Sequence, residues 1–133
     1  MNKIIVSGKR KTAIAKAIIT KGSGKVLLNK RDYKHLHMFD MLKISEPLRI
    51  TEGILGKLNF DVNIFIKGGG AKGQIEAARL ALAKAITKFS QNDQLTKAFL
   101  DYDRNLLVAD IRRKETYKPG DSKARKKRQS SKR

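Results

Sequence analysis

The chain has 133 residues, enough for one compact domain with extensions, and two full domains are not expected. Its 31 Lys and Arg residues outnumber its 12 Asp and Glu residues, and the formal net charge of +19 predicts a polyanionic partner, by default nucleic acid. Cys is absent, which excludes disulfides, thiol catalysis and Cys-based zinc sites, and no apolar run approaches the ~18 residues that a membrane span needs.

The first quarter of the chain predicts β-structure. Residues 4–6 indicate a short strand, and because this apolar run is too short for a secretory signal, we expect a cytoplasmic protein. A longer strand is predicted at residues 12–20, and a hairpin continues through residues 25–28. Alternation along the longer strand puts small residues on one face, which a helix can approach closely. That face holds Ala13, Ala15, Ala17 and Ile19, and the other holds Ile14, Lys16 and Ile18.

The next segment predicts helices and a further strand. Residues 31–41 are expected to be helical, and Pro47 is expected to open a second short helix toward Ile54, because proline suits the first turn of a helix. Residues 60–66 then resume the pattern of a strand.

The clearest helix is predicted to begin after Gly73, where apolar residues recur at helical spacing over four turns. Its core-facing residues are Ile75, Ala78, Leu82, Ala85, Ile86 and Phe89, and its opposite face, with Gln74, Arg79, Lys84 and Lys88, would meet water or RNA. Asn92 or Asp93 is expected to cap a further helix, and residues 106–108 to return to the sheet. These elements predict an α+β fold in which helices cover one face of a sheet.

A glycine-rich loop precedes the clearest helix, with Gly68, Gly69, Gly70, Lys72 and Gly73. It satisfies G-x-G-x-x-G formally, but no acidic residue ends a second strand about 20 positions later, as a dinucleotide site requires. It is not a Walker loop either, because Lys72 is followed by Gly and not by Ser or Thr. Backbone amides at a helix N-terminus could still hold a phosphate. A purely structural turn is the alternative.

Two parts of the chain concentrate positive charge. Lys9, Arg10 and Lys11 lie between two apolar segments and predict a phosphate contact, with an ordinary charged loop as the alternative. Residues 112–133 hold eleven basic and two acidic residues, or +9, and almost no apolar side chains. We therefore divide the chain into a globular domain at 1–111 and a basic tail at 112–133, which is too polar to fold alone and becomes ordered on RNA. A solubilising tail is the alternative.

Three separated segments resemble the small-subunit ribosomal protein nine family: Gly8-Lys9-Arg10-Lys11-Thr12-Ala13-Ile14-Ala15-Lys16-Ala17, Ile66-Lys67-Gly68-Gly69-Gly70-Ala71-Lys72-Gly73-Gln74 and Gln129-Ser130-Ser131-Lys132-Arg133. Residues 106–115 are similar to the archaeal and eukaryotic branch of that family. The resemblance implies a left-handed βαβ fold like the second domain of small-subunit ribosomal protein five. It also implies a structural role in translation, with rRNA of the subunit head, neighbouring ribosomal proteins and P-site tRNA as partners. Many relatives carry an aromatic residue before the terminal Arg, where this chain has Lys132.

The predicted binding residues follow from these patterns and from the resemblance. For tRNA, the resemblance implies that Lys132 and Arg133 approach the anticodon stem-loop. The predicted rRNA-binding residues are Lys9, Arg10, Lys11, Gly68, Gly69, Gly70, Lys72, Arg112, Arg113, Lys114, Lys118, Lys123, Arg125, Lys126, Lys127 and Arg128.

No catalytic site, cofactor or metal is predicted. His35 and His37 have too few ligands near them for a metal site, and Asp101 and Asp103 indicate a charged loop. Two rival functions stay open: a small-molecule kinase that uses the glycine loop, although no magnesium ligands accompany it, and a DNA-compacting protein.

Overall fold

A computed structural model describes residues 2–120 and 124–125. This part of the chain contains three helices, five strands and two short 3-10 turns, Tyr33–His35 and Arg104–Leu106. In chain order the helices and strands are β1 (Ile4–Arg10), β2 (Ala13–Lys21), β3 (Val26–Leu28), β4 (Arg31–Asp32), α1 (Met38–Leu55), β5 (Phe60–Lys67), α2 (Ala71–Ser90) and α3 (Asp93–Tyr102).

The strands form one mixed sheet in the order β1-β2-β5-β3-β4. The pairs β1/β2, β2/β5 and β3/β4 are antiparallel, whereas β3 and β5 run parallel. Parallel neighbours need a crossover, and α1 lies in the connection between β3 and β5. The predicted α+β class with a mixed sheet is confirmed.

The helices cover one face of the sheet, which we call the inner face. On β2 the residues Ala13, Ala15, Ala17 and Ile19 are fully buried, as their alternation predicted. The helix α2 packs across β1, β2 and β5, and α1 packs against α2. The approach is close, because a Cβ atom at Gly8 would lie 2.6 Å from the carbonyl oxygen of Ala77 and 2.8 Å from the amide nitrogen of Ala81.

The prediction of two helices in residues 31–54 is wrong. Residues 31–35 form β4 and a 3-10 turn, and a single helix then runs from Met38 to Leu55 with Pro47 inside it. Pro47 lacks the N–H that an interior helical position needs, but it is buried together with Ile44 and Leu48. Burial of this apolar side offsets the missing hydrogen bond, so the helix continues past the proline.

Two further boundaries differ from the prediction. The helix α2 begins at Ala71 and contains Gly73 in its first turn. Residues 106–108 do not return to the sheet: the chain turns at Arg104–Leu106, where the Asp103 carboxylate accepts a hydrogen bond from the Asn105 amide. Leu106 is nevertheless fully buried, which explains why the apolar pattern resembled a strand. At the start of α3, Asn92 is the predicted cap and accepts from the amides of Gln94 and Leu95.

Candidate nucleic-acid interface

Two turns meet at one end of the sheet, which we call the basic end. The β1–β2 turn contains Lys11 and Thr12, and the glycine turn follows β5. Gly68 and Gly69 have φ of 77° and 68°, which favours glycine. A Cβ atom at Gly68 would lie 2.9 Å from the Thr12 carbonyl oxygen, and one at Gly69 would lie 2.8 Å from the Ala13 amide nitrogen. Turn geometry and packing thus account for these two glycines without a ligand.

The first turn of α2 is open. Gly70 is the N-cap, no side chain caps the helix there, and a Cβ atom at this position would meet nothing within 4 Å. Lys72 is exposed one residue into the helix. Because helix N-terminal amides carry partial positive charge, this turn can accept an anionic oxygen next to the Lys72 ammonium group. The space beside Gly70 and Lys72 is therefore open to the predicted phosphate.

Arg10 differs from its neighbours Lys9 and Lys11, which are exposed. Its side chain is 14% exposed, and its Nε lies 2.6 Å from Oε2 of Glu76. Its Nη1 lies 3.0 Å from Oδ2 of Asp110, although the two atoms make no well-directed hydrogen bond. Sequence predicted a phosphate contact for Arg10, and the structure gives its guanidinium two carboxylate partners within the chain.

The start of the tail is attached to the body. The Arg112 amide donates to Oδ1 of Asp110 at 2.9 Å, and the Arg112 side chain donates to the same carboxylate, with Nη2 2.7 Å from Oδ2. The side-chain and amide hydrogen bonds from Arg112, assisted by the charge of Arg10, lower the pKa of Asp110 to about 2. Arg113 also donates to the carbonyl of Lys11. Asp110, Arg112 and Arg113 therefore form a root that fixes the tail beside the basic end.

The remaining described cations of the tail are exposed and lie in residues without helix or strand. The Lys114 ammonium lies 4.6 Å from the centroid of the Tyr117 ring. Arg125 pairs with Glu115 at 2.8 Å, an exposed contact that contributes little. The predicted contacts Lys123, Lys126, Lys127, Arg128, Lys132 and Arg133 lie outside the described residues.

The helical position of Arg79 predicted contact with water or RNA, but the structure largely buries its side chain. Its side chain is 15% exposed and lies between two carboxylates, with Nη2 2.5 Å from Glu46 and Nη1 3.2 Å from Asp103. A cavity of about 290 Å³ adjoins both this cluster and the Arg10 cluster. Glu46, Glu76, Asp103 and Asp110 thus pair with arginines of the body. Periodicity alone could not reveal this, because the partners lie far from Arg79 in the sequence.

Two cations that sequence analysis left out of the binding set lie on the face of the sheet opposite the helices, which we call the outer face. Lys16 projects from β2, and Lys67 ends β5. In the register of the sheet Ile14 stands between Lys9 and Lys67, and Lys16 stands opposite Phe65. The alternation of residues along β2 predicted that Lys16 lies on this face. The sequences of β2 and β5 do not reveal that the two strands pair, so the position of Lys67 beside Ile14 could not be predicted.

The acidic side chain of β5 is used elsewhere. Asp61 lies at the other end of its strand and accepts hydrogen bonds from the amides of Ser23, Gly24 and Lys25 at 2.9, 3.2 and 2.9 Å. These bonds, led by that of Lys25, lower the pKa of Asp61 below its ordinary value. Asp61 therefore stabilises a turn distant from the basic end, where Lys9, Lys11 and Lys72 make no ion pair with another described residue.

The sequence matches a known family over most of its length. The family described as Ribosomal protein S9/S16 matches residues 8–133. The chain belongs to this family. As a member of this family it is a structural protein of the small ribosomal subunit, which implies RNA binding and a role in translation. The family is not a family of enzymes.

Its relatives include archaeal proteins, as the residues at 106–115 indicated. Small ribosomal subunit protein uS9 of Thermoplasma volcanium is 42% identical over 133 residues, which is 98% of each chain. The uS9 proteins of Picrophilus torridus and Methanococcus vannielii are each 46% identical, over 96% of both chains for the first and over 86% of this chain and 85% of the relative for the second. Within the described residues, no helix is both long and apolar enough to cross a membrane.

Proposed function

We propose that this S9 family protein binds rRNA in the head of the small subunit through its basic end and its tail. On this proposal the last residues, Lys132 and Arg133, lie against the anticodon stem-loop of P-site tRNA in the cytoplasmic ribosome. The observation that carries the proposal is the separation of charge within the body. Lys9, Lys11 and Lys72 are exposed at one end, whereas the Arg10 and Arg79 guanidinium groups are occupied by carboxylates.

The root connects the basic end to the tail. Asp110 and Arg113 hold the start of the tail at the β1–β2 turn, so the tail leaves the body beside the open first turn of α2. Phosphates bound at the basic end and phosphates bound by the tail then belong to one continuous RNA surface. The output is positioning of RNA, without a chemical step.

Three finer points belong to the same proposal. Neighbouring ribosomal proteins of the head complete the surroundings of the domain. The βαβ unit β3–α1–β5 has the left-handed form of the second domain of small-subunit ribosomal protein five. The tail beyond the root is extended and becomes ordered on rRNA.

A salt titration with a transcript of the head domain of small-subunit rRNA tests the binding. If the tail neutralises six phosphates in single-strand-like RNA, the logarithm of affinity falls with the logarithm of salt concentration at a slope of about −4. A flat salt response would contradict tail docking. Duplex DNA of equal length should compete poorly, and equal competition would instead favour the DNA-compacting function.

Removing residues 130–133 tests the tRNA contact. Subunits assembled with the truncated chain should form normally but hold P-site tRNA less tightly. Arg133→Ala should weaken retention more than Lys132→Ala, because an Arg guanidinium can grip a phosphate in two places. Unchanged retention in filter-binding assays would remove this role while leaving rRNA binding intact.

A further inference from the structure

The outer face carries an aromatic side chain that the fold does not bury. Phe65 is 43% exposed in the middle of the sheet, although Ile64 on the same strand is 1% exposed on the inner face. Ile14, in the adjacent row, is 46% exposed. Such residues support β-structure through cross-strand contacts, but a polar side chain could occupy the outer face without disturbing the core.

Lysines frame this aromatic residue. Lys16 lies directly across from Phe65 on β2, and Lys67 follows it by two residues on the same face of β5. Lys9 completes the next row beyond Ile14. Side chains at directly opposed positions lie roughly 5 Å apart at Cβ, so the ring and the ammonium groups form a single surface.

Carboxylates on this face lie at its other end. Asp61 is four residues from Phe65 along β5 and is tied to the amides of residues 23–25. Asp32 is on β4, opposite Leu27 at the far side of the sheet. Around Phe65, the outer face therefore alternates the apolar side chains of Phe65 and Ile14 with the cations Lys9, Lys16 and Lys67.

We infer that Phe65 is a stacking platform for an unpaired base of RNA, with Lys16 and Lys67 binding the phosphates beside it. The inference rests on the proposed function, since it assigns one contact within rRNA binding. An aromatic ring framed by cations matches single-stranded RNA, which offers a π-face and a phosphate at every nucleotide. An acidic protein segment would satisfy the lysines but would give the exposed ring no matching flat surface.

A tryptophan reporter tests the stacking directly. The chain contains no Trp, so Phe65→Trp introduces a single fluorophore at the platform. Leu100→Trp is the matched control, because Leu100 is also 43% exposed but lies on α3, in the helical layer. Addition of the head-domain rRNA transcript should strongly quench the fluorescence of the Phe65→Trp variant, as a base stacks on the indole. The fluorescence of the Leu100→Trp variant should stay nearly unchanged.

Affinity measurements separate stacking from mere burial. Phe65→Ala and Phe65→Leu should each bind the transcript about tenfold more weakly, within the range for loss of one stacked base, whereas Phe65→Tyr should bind within about twofold of the original protein. Leucine keeps an apolar side chain in the strand but offers no ring. Equal affinity of the Leu and Tyr variants would overturn the inference. Circular dichroism melting verifies that each variant folds.

A failure of rRNA binding and a failure of stacking on Phe65 give different results. If the original chain shows no saturable binding to the transcript, the proposed function itself fails. If all variants bind with equal affinity and the indole of the Phe65→Trp variant is unaffected, rRNA binding stands and the platform is rejected. If that indole responds only in assembled subunits, and the response survives nuclease digestion of the RNA, a neighbouring protein covers this face and the inference is likewise overturned.

Discussion

The inner and outer faces of the sheet belong to the same strands but follow different physical rules. On β1, Gly8 contacts the backbone of α2, whereas Ser7 beside it is exposed. On β2, Ala15 is fully buried between two outer residues, Ile14 and Lys16, that are exposed. One step along a strand thus separates a position determined by packing from a position free to carry charge or an aromatic ring.

The contrast between the two faces indicates where substitutions can be tolerated. The inner face is constrained by atoms that cannot move cheaply, because helix backbone lies against strand backbone. The outer face has no such neighbour among the described residues, so its side chains can be selected for RNA. Substitutions at adjacent residues of one strand should therefore report on different properties, stability for one and RNA binding for the other.

The largest effect is expected from Gly8→Ala. Its new Cβ would lie 2.6 and 2.8 Å from backbone atoms of α2, so the helix must shift and the packing beneath it must change. We expect the free energy of unfolding to fall by about 3 kcal/mol, near the top of the range for overpacked cores. Ser7→Ala, one residue away on the outer face, should change it by less than about 0.5 kcal/mol. Urea unfolding of both variants measures these changes. Equal losses of unfolding free energy in the two variants would contradict the difference between the faces.

The inner face was largely predictable because a local rule decides it. Alternation along β2 identified its buried alanines, and helical spacing identified the buried residues of α2, such as Ile75 and Leu82. The prediction failed at Pro47, where packing against other elements outweighed a local helix-breaking preference, and at Leu106, where burial occurred without a strand. In both cases contacts distant in the sequence determined the outcome.

The site was only partly predictable for a similar reason. Charge density drew attention to Lys9 and Lys11, and the glycine loop drew attention to Lys72; all three are exposed near one end of the sheet. The sequence could not show that Arg10 pairs with Glu76 and Asp110, which are 66 and 100 residues away, respectively. Nor could it show that Lys67 shares a row with Ile14, because sheet register depends on the whole fold. Composition identifies a polyanion-binding protein, and only the fold reveals which cations remain available.

A smaller effect should follow from removing charge on the outer face. The double variant Lys16→Gln with Lys67→Gln should reduce the magnitude of the salt slope for the head-domain transcript by about 1.4, as expected for two lost contacts in single-strand-like RNA. The matched control, Lys88→Gln with Lys97→Gln, removes the same charge from α2 and α3. It should leave the slope nearly unchanged. Equal changes in the two double variants would mean that net charge, and not the outer face, governs binding.

The smallest effect is expected at the root, where Asp110→Asn removes the charge between Arg10 and Arg112. Because the pKa of Asp110 is lowered from 3.8 to about 2, the ionised carboxylate stabilises the folded chain above pH 4, and this contribution is lost as pH falls through 2. The variant should therefore melt at a slightly lower temperature than the original chain at pH 7, and the two melting temperatures should converge near pH 2. Glu115→Gln, which breaks the exposed pair with Arg125, is the control and should melt like the original chain at pH 7. A difference for Asp110→Asn that grows as the pH falls would contradict the assigned direction of the shift, and with it the attachment of the tail through this carboxylate.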